Sequence, residues 1–344
     1  MAATPQFTAQ AEEKHVRRLE VSVEKWPWKR PLSIAGHVFF DSTVVVAKIT
    51  EGPHEGRGEA LGMFYRQDTA AQLALEIETV REPIESGIDR TQLRKLLRAG
   101  GARNALDCAL WDLESKRSLT PVWKLAGLPS PKPVLTTFTI GADAPGAMAR
   151  IAAETYGDAK AIKLKLLGDG SDVHRVMQVR EARPDVWLGV DANQSLTGEE
   201  LSEILPALKA ARVAMIEQPC KVGQEAIALR RLPRDIPIVA DESVETLSDI
   251  EKVRPYYNMI NIKLDKCGGL TEALLMARSA QQLGLGVMVG NMGGTSLSVA
   301  PALILASFCK IVDLDAPIFL ARDRTPSALF YDGLIEIPDG LWGN

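Results

Sequence analysis

The sequence predicts an α/β protein in which a parallel βα barrel follows a smaller domain of antiparallel strands and helices. The main observation is a set of five charged residues that each end a short apolar run, at gaps of 26, 26, 24 and 22 residues. One strand, one helix and two short loops fill such a gap, and barrels of this kind carry functional groups at the C-terminal strand ends. The second observation is that the first 130 residues lack this period. The five residues are Lys165, Asp191, Glu217, Asp241 and Lys263.

The first domain is predicted from short-range patterns. β-Branched residues that alternate or cluster indicate antiparallel strands, and prolines and glycines between them indicate loops. Apolar residues at helical spacing indicate two helices. The expected elements are, in order, a strand in 15–26, a loop at 27–41, a strand in 43–51, a loop at 59–68, helices at 69–84 and 103–117, and a proline-rich linker at 128–134.

The barrel is predicted from the regular alternation of strand and helix patterns after the linker. Eight strands are the number needed to close such a barrel. We expect a first domain at 1–130, the barrel at 131–320 and a segment at 321–344 that returns to the first domain. The expected strands are 134–140, 161–166, 187–191, 213–217, 236–241, 259–264, 286–290 and 311–314.

Three of the periodic residues are carboxylates, which suggests a metal site. Asp191, Glu217 and Asp241 offer hard oxygen ligands on successive strands, a set that suits Mg²⁺ or Mn²⁺. Without a cation, three carboxylates at one mouth repel one another and raise each other's pKa. The alternative is that each acidic residue caps the helix that follows it. The recurrence of all three at one period favours the metal.

Two lysines flank the carboxylates in the chain order. Lys163 and Lys165 lie two residues apart, so both point to the same face of one strand, and Lys163 is expected to lower the pKa of Lys165 by repulsion. Lys263 comes from a strand four positions further around the barrel and approaches from the opposite side. Amines on both faces of one carbon can remove a proton and return it with inversion. The alternative is that these lysines are exposed, with packed stems.

Composition excludes several other classes. A net charge of −4 without a basic stripe argues against nucleic-acid binding. There is no apolar run of eighteen residues, which argues against a membrane span. Four scattered cysteines predict reduced thiols and a cytoplasmic location. The sequence leaves a homo-oligomer open.

Several motifs together resemble the enolase superfamily, in its muconate-lactonising branch. They are ARNALDCALWDL, KLK, VDAN, IEQP, ADES and NIKLDKCGG, and they extend over nearly the whole chain. The resemblance implies a modified (β/α)₇β barrel covered by an α+β capping domain. It also implies that Asp191, Glu217 and Asp241 bind Mg²⁺ and that Lys165 and Lys263, supported by Lys163, are the acid and base acting through an enediolate.

A further motif, DLDAP at the eighth strand, resembles the signature of dipeptide epimerases such as L-Ala-D/L-Glu epimerases. Asp313 and Asp315 lie two residues apart and share a face, where they could meet the ammonium group of a dipeptide. The resemblance implies inversion at Cα of the C-terminal residue, with either a glutamyl or a hydrophobic side chain. N-acyl amino acid racemase, o-succinylbenzoate synthase and muconate cycloisomerase are alternatives. Phe39, Lys163, Gly293 and Gly294 are expected to contact substrate, under loops near 29–40 and 61–66.

Overall fold

Strands rich in β-branched residues form an antiparallel sheet near the N-terminus. The computed structural model describes residues 16–34 and 37–343. Residues 1–15 of the predicted first domain, 35–36 of the predicted loop and 344 of the predicted C-terminal segment lie outside the described residues. The three strands pair in chain order. They are β1 (Arg17–Ile34), β2 (His37–Glu51) and β3 (His54–Ala60).

The predicted loop at 27–41 is wrong, because this segment mostly continues the hairpin of β1 and β2. The pairing register shifts between Pro27 and Leu32 and then resumes with Leu32 opposite Phe39. Proline removes one backbone donor, which interrupts the ladder locally. It does not end the strand here because β1 is at the edge of its sheet, where proline is tolerated.

The helices of the first domain pack against this sheet. The longest crosses β3 so closely that a Cβ at Gly58 would lie 2.0 Å from the carbonyl oxygen of Ala105. The predicted helix at 69–84 is divided in two, while the one at 103–117 agrees with the structure. The helices are α1 (Ala70–Glu78), α2 (Arg81–Glu85), α3 (Arg90–Leu96), α4 (Gly101–Ser118) and α5 (Val122–Leu125).

The predicted strand at 134–140 is split into two strands in different sheets. β4 (Val134–Leu135) pairs with a C-terminal strand, and β5 (Phe138–Ile140) begins the barrel. The two residues between them bond elsewhere: the Thr137 amide donates to Val312 O at 3.0 Å, and the Thr136 amide donates to Gly333 O at 3.1 Å. Side-chain pattern alone could not reveal this change of partner.

An eight-stranded parallel sheet curls into the barrel, in the order β5 to β12. Helices follow the strands on the outside, and the bond from Thr137 to Val312 joins the first strand to the last. The strands are β5 (Phe138–Ile140), β6 (Ala161–Lys165), β7 (Trp187–Asp191), β8 (Met215–Glu217), β9 (Ile238–Ala240), β10 (Met259–Lys263), β11 (Gly286–Gly290) and β12 (Ile311–Val312). The helices are α6 (Pro145–Arg150), α7 (Asp172–Ala182), α8 (Gly198–Ala210), α9 (Glu225–Ala228), α10 (Ile250–Val253), α11 (Leu264–Cys267), α12 (Leu270–Gln282), α13 (Ser296–Leu303) and α14 (Ala316–Phe319).

Apolar side chains fill the inside of the barrel below its charged mouth. Met215, Val239, Met259 and Met288 form a separate buried cluster there. Because these side chains fill the lower barrel, polar chemistry is confined to the C-terminal end of the strands.

Buried polar contacts join the two domains. Asp107 of α4 accepts hydrogen bonds from the amide and hydroxyl of Thr271, at 2.9 and 2.6 Å. The C-terminal segment contains β13 (Leu329–Tyr331) and β14 (Leu334–Glu336), and Trp342 donates to Arg57 O at 3.0 Å in the first domain. The domain boundaries at 130 and 320 stay predictions. Within residues 16–34 and 37–343, no helix has both the length and the apolar character needed to cross a membrane.

Candidate active site

Five neighbouring barrel strands bring the predicted charged residues to one mouth. The side-chain period of two directs alternate residues of each strand into the barrel, while their neighbours, such as Ile162 and Leu164, pack under the helices. All six residues are buried, with relative exposures of 7% or less. Lys163 and Lys165 lie on β6, Asp191 ends β7, Glu217 ends β8, Asp241 follows β9, and Lys263 ends β10.

The two lysines proposed from the sequence lie across the barrel from each other. β6, with Lys165, and β10, with Lys263, are four positions apart in a sheet of eight strands. In a closed barrel that separation places them on opposite sides of the axis. The three carboxylates come from the strands between them, β7, β8 and β9, so they occupy the arc that connects the lysines.

Each carboxylate of this arc is paired with a lysine. Lys165 Nζ lies 2.5 Å from Asp191 Oδ2, and Lys263 Nζ lies 2.7 Å from Asp241 Oδ2. Lys163 Nζ lies 3.2 Å from Glu217 Oε2 and also pairs with Asp313. Lys163 is thus held between carboxylates of two different strands, and its effect on Lys165 stays a prediction.

The pKa shifts follow from these pairs. Burial would raise the pKa of Asp241, but the ammonium groups of Lys263 and Lys266 outweigh it and hold the pKa below its usual range. For Glu217, burial and the charge of Asp191 raise the pKa, and the ammonium groups of Lys163 and Lys263 do not offset them. For Lys263, burial favours the neutral amine, but Asp241 outweighs it and raises the pKa.

The donor set fits a hard divalent cation, although it is not arranged as a finished metal site. Among the described residues, no three His, Cys, Asp or Glu side chains are close enough to form a ready cation site. Asp191, Glu217 and Asp241 supply only buried carboxylate oxygens, and the raised pKa of Glu217 indicates a shortage of positive charge. Mg²⁺ and Mn²⁺ prefer oxygen donors of this kind.

Asp313 and Asp315 lie on the other half of the mouth, and their surroundings differ. Asp313 is paired with Lys163, which holds its pKa below the usual range although burial opposes this. Asp315 accepts only neutral donors, the Thr139 amide at 2.7 Å and Asn291 Nδ2 at 3.3 Å. Within the described part of the chain, no lysine or arginine forms an ion pair with Asp315. Burial and the charge of Asp313 therefore raise its pKa.

The predicted substrate-contact residues divide into two groups. Gly293 lines the same cleft as Trp28, the lysines and the Asp313–Asp315 pair. Gly294 packs inside the protein, where a Cβ would lie 2.7 Å from Glu59 Oε1, and its φ of +102° favours glycine. Phe39 stacks against Trp28 at 5.9 Å between ring centroids, so it supports the cleft wall rather than forming it.

The second loop predicted to cover the site, 61–66, contacts the barrel, where the Leu61 amide donates to Asp265 Oδ1 at 3.0 Å. It contains a short 3₁₀ turn, Phe64–Arg66, whose Arg66 pairs with Glu245 of the barrel. Burial and the charge of Asp241 raise the pKa of the Tyr65 phenol in this loop. Phe64 packs edge-on against Phe39 at 5.4 Å, which joins this loop to the hairpin.

Other polar residues also belong to the mouth, although the sequence predicted no site role for them. Asn261 donates to Glu217 Oε1 at 2.6 Å, and Lys266 lies 2.5 Å from Asp241 Oδ1. Thr137 donates to Asp313, and Thr139 binds Asp315. Asn261 lies two residues before Lys263, as Thr137 does before Thr139, so the strand period could have identified them.

Comparisons with known proteins agree with this geometry. A family model for the mandelate racemase / muconate lactonizing enzyme N-terminal domain matches residues 17–127, and an enolase C-terminal domain-like model matches residues 146–341. Among curated proteins, the L-Ala-D/L-Glu epimerase of Escherichia coli is 38% identical, over 94% of this chain and 100% of that protein. The N-acetyl-D-glutamate racemase of a Pseudoalteromonas species is also 38% identical, over 74% of this chain and 80% of that protein.

Two solved structures extend the comparison. An enolase family member from Agrobacterium tumefaciens with homology to dipeptide epimerases contains bound sodium and L-Ala-L-Glu with an ordered loop. It has a TM-score of 0.91 and 35% identity, covering 95% of this chain and 100% of its own. The dipeptide epimerase of Enterococcus faecalis, complexed with Mg and L-Leu-L-Tyr, has a TM-score of 0.86 and 27% identity, covering 95% and 99%.

These matches confirm the predicted resemblance to the enolase superfamily and, within it, to dipeptide epimerases. They also agree with the barrel and the capping sheet. The chain therefore belongs to the mandelate racemase / muconate lactonizing enzyme family of the enolase superfamily.

Proposed function

We propose that this chain is a dipeptide epimerase, which inverts Cα of the C-terminal residue by a Mg²⁺-dependent 1,1-proton transfer. The reaction class is an isomerisation, since the curated relatives that cover most of the chain are epimerases and a racemase. The dipeptides L-Ala-L-Glu and L-Leu-L-Tyr, bound in two of the similar structures, support a dipeptide substrate.

Asp191, Glu217 and Asp241 are the residues that would hold Mg²⁺, with Mn²⁺ as the alternative ion. Support comes from their buried oxygen donors and from the Mg in the Enterococcus structure. A bound dication supplies positive charge beside the substrate carboxylate, which makes the α-proton more acidic.

Lys165 and Lys263 would carry the proton on the two faces of Cα. One amine, in its neutral form, accepts the α-proton from one face, and the other, as an ammonium, donates a proton to the opposite face. The roles exchange when the other epimer is the substrate. The placement of the two lysines on opposite sides of the barrel supports this assignment. A single lysine could exchange the proton only on its own face.

The observation that carries the choice of a dipeptide is the environment of Asp315. Its carboxylate is 3% exposed, and among the described residues its partners are neutral donors alone. A buried carboxylate without a cation is costly unless a ligand supplies one. The α-ammonium of a dipeptide provides that charge, at a position opposite the proposed metal ligands.

One alternative has a specific observation in its favour. The Pseudoalteromonas relative is an N-acetyl-D-glutamate racemase at the same 38% identity. An N-acylated amino acid keeps the carboxylate and the α-proton but has no ammonium group. It would use the same lysines and leave Asp315 without its cation.

A substrate panel in D₂O separates the two. The protein with Mg²⁺ is incubated with L-Ala-L-Glu, L-Leu-L-Tyr and N-acetyl-L-glutamate, and the products are followed by chiral chromatography and mass spectrometry. We expect at least one of the two dipeptides to be inverted, with one deuterium gained at the C-terminal Cα. Inversion of N-acetyl-L-glutamate alone would contradict the proposal.

We also propose that the enzyme works in the cytoplasm. Its four cysteines are all free thiols, and three are buried, which suits a reducing compartment. A homo-oligomeric state stays a prediction.

A further inference from the structure

A second cavity opens beside the catalytic cleft. Its volume is about 370 Å³, and Thr139 and Phe319 line both spaces. We call it the side cavity, defined by Arg30, Phe138, Tyr156 and Phe319. It lies between the hairpin of the capping domain and the first βα unit of the barrel, on the side of the mouth that carries Asp315.

Two residues connect the side cavity to Asp315. Thr139, in the shared wall, donates its amide to Asp315 Oδ2 at 2.7 Å. The hydroxyl of Tyr156 makes no hydrogen bond with any described residue. Burial and the charge of Asp315 raise the pKa of Tyr156, while Arg30 lowers it, so the hydroxyl lies within electrostatic range of both charges.

The wall of the side cavity is apolar except for cations and hydroxyls. Lys29 and Arg30 are the charged side chains that line it, with no carboxylate among the described lining residues. Lys29 Nζ donates to Ile318 O at 3.0 Å, while Arg30 makes no ion pair or hydrogen bond with the described residues. The positive field of this cavity is therefore not neutralised from within.

A rare backbone feature forms part of the same wall. Ile151 and Thr155, which line the side cavity, begin and end a π-helical turn. Such turns are well under one per cent of residues in proteins and occur often at functional sites. This turn supports a functional role of the side cavity independently of the charged residues.

We propose that the side cavity receives the side chain of the substrate's N-terminal residue and favours an anionic one, an aspartyl or glutamyl group, held by Arg30 and Tyr156. This inference rests on the proposed function, in which Asp315 holds the ammonium group of that residue. The side chain and the ammonium leave the same Cα, so the side chain must enter a space adjoining Asp315. The side cavity adjoins it through Thr139.

The test compares two substrates that differ only in charge. The kcat/KM values of L-Glu-L-X and L-Gln-L-X are measured, where X is the C-terminal residue turned over best, for the wild type, Arg30→Gln and Lys25→Gln. Lys25 lies on the same strand, is 69% exposed and pairs with Asp41, and it does not line the side cavity. The ratio of the two substrates within one variant cancels differences in the fraction of active protein.

We expect the wild type to prefer L-Glu-L-X about fivefold, as for an ion pair near the surface, and to lose this preference as salt rises. Arg30→Gln should bring the ratio to about one, and Lys25→Gln should leave it unchanged. Equal use of both substrates by the wild type, or a preference that survives Arg30→Gln, overturns this inference while the epimerase activity stands. Failure to invert any dipeptide overturns the proposed function and this inference together.

Discussion

Replacing Asp315 by asparagine tests whether this residue selects substrates that carry an ammonium group. Asparagine has nearly the same shape, and its oxygen can still accept the bond from the Thr139 amide, at 2.7 Å in the wild type. The substitution removes the negative charge and exchanges Oδ1, which accepts a longer bond from Asn291 at 3.3 Å, for an amide NH₂. Since the side chain is 3% exposed, solvent screens its interaction with the ammonium only weakly.

The magnitude follows from the kind of contact that is lost. A hydrogen bond to a charged group contributes about 1.5–3 kcal/mol, which corresponds to about 10- to 150-fold in kcat/KM. We expect a loss in this range for a dipeptide, measured by the rate of inversion under Mg²⁺ saturation. For an N-acylated amino acid of the same side chain, any activity should be unchanged or higher, because Asp315 repels that substrate or is neutral to it.

Stability gives an independent control. Burial and the charge of Asp313 raise the pKa of Asp315 in the folded state, so its ionised form destabilises the fold once the pH exceeds the carboxyl pKa of the unfolded chain. Asp315→Asn removes this penalty, and its unfolding temperature at neutral pH should be no lower than that of the wild type. An equal loss of activity on both substrate types, or a loss below about threefold on dipeptides, would refute the assignment.

Three further predictions concern the lysines, the metal and the contact between the domains. Lys165→Ala and Lys263→Ala should each reduce the rate of inversion by at least about 10²-fold. One of the two variants should still exchange the α-proton of a single epimer for deuterium, as measured by mass spectrometry. Full inversion by either variant would contradict the two-sided scheme. Treatment with a chelator should abolish inversion and millimolar Mg²⁺ should restore it, with Mn²⁺ as the second ion to assay; activity that persists in the chelator would contradict the metal requirement. Burial raises the pKa of Asp107 to about 6 despite its bonds to Thr271, so the ionised form destabilises the folded state and stability falls as the pH rises from 3.8 through this value. Asp107→Asn should flatten the dependence of the unfolding free energy on pH between about 4 and 6 in urea titrations, and an unchanged slope would contradict the raised pKa.

The barrel and its charged mouth could be predicted because each strand repeats the same arrangement. An apolar run that ends in a charged residue encodes both the strand and the position of its functional group, as in the run that ends at Asp191. The hairpin at 27–41 could not be read this way, because its pairing depends on a register that resumes after a proline. The split of 134–140 depends on partners that are 197 and 175 residues away in sequence, Gly333 for Thr136 and Val312 for Thr137.

The different roles of Asp313 and Asp315 also could not be predicted from the sequence. Two residues apart on one strand end, they appear equivalent in the motif DLDAP. Their difference arises from Lys163, whose ammonium pairs with Asp313 and not with Asp315. Which of two neighbouring carboxylates a lysine contacts depends on its rotamer and on the surrounding packing, and neither can be read from spacing.

The charges of the mouth, taken together, favour a zwitterionic substrate. Five buried carboxylates face four buried lysines in the described structure, which leaves one excess negative charge. A bound dication and one lysine in its neutral form, as the base requires, bring the total to zero. Apart from its side chains, a dipeptide carries one ammonium and one carboxylate and so adds no net charge to that neutral site, whereas the same part of an N-acylated amino acid adds one negative charge that nothing there balances. Glu242 is left out of this count because it is not a proposed ligand of the metal or of the ammonium group; burial and the charge of Asp241 raise its pKa. The residues counted are Asp191, Glu217, Asp241, Asp313 and Asp315 with Lys163, Lys165, Lys263 and Lys266.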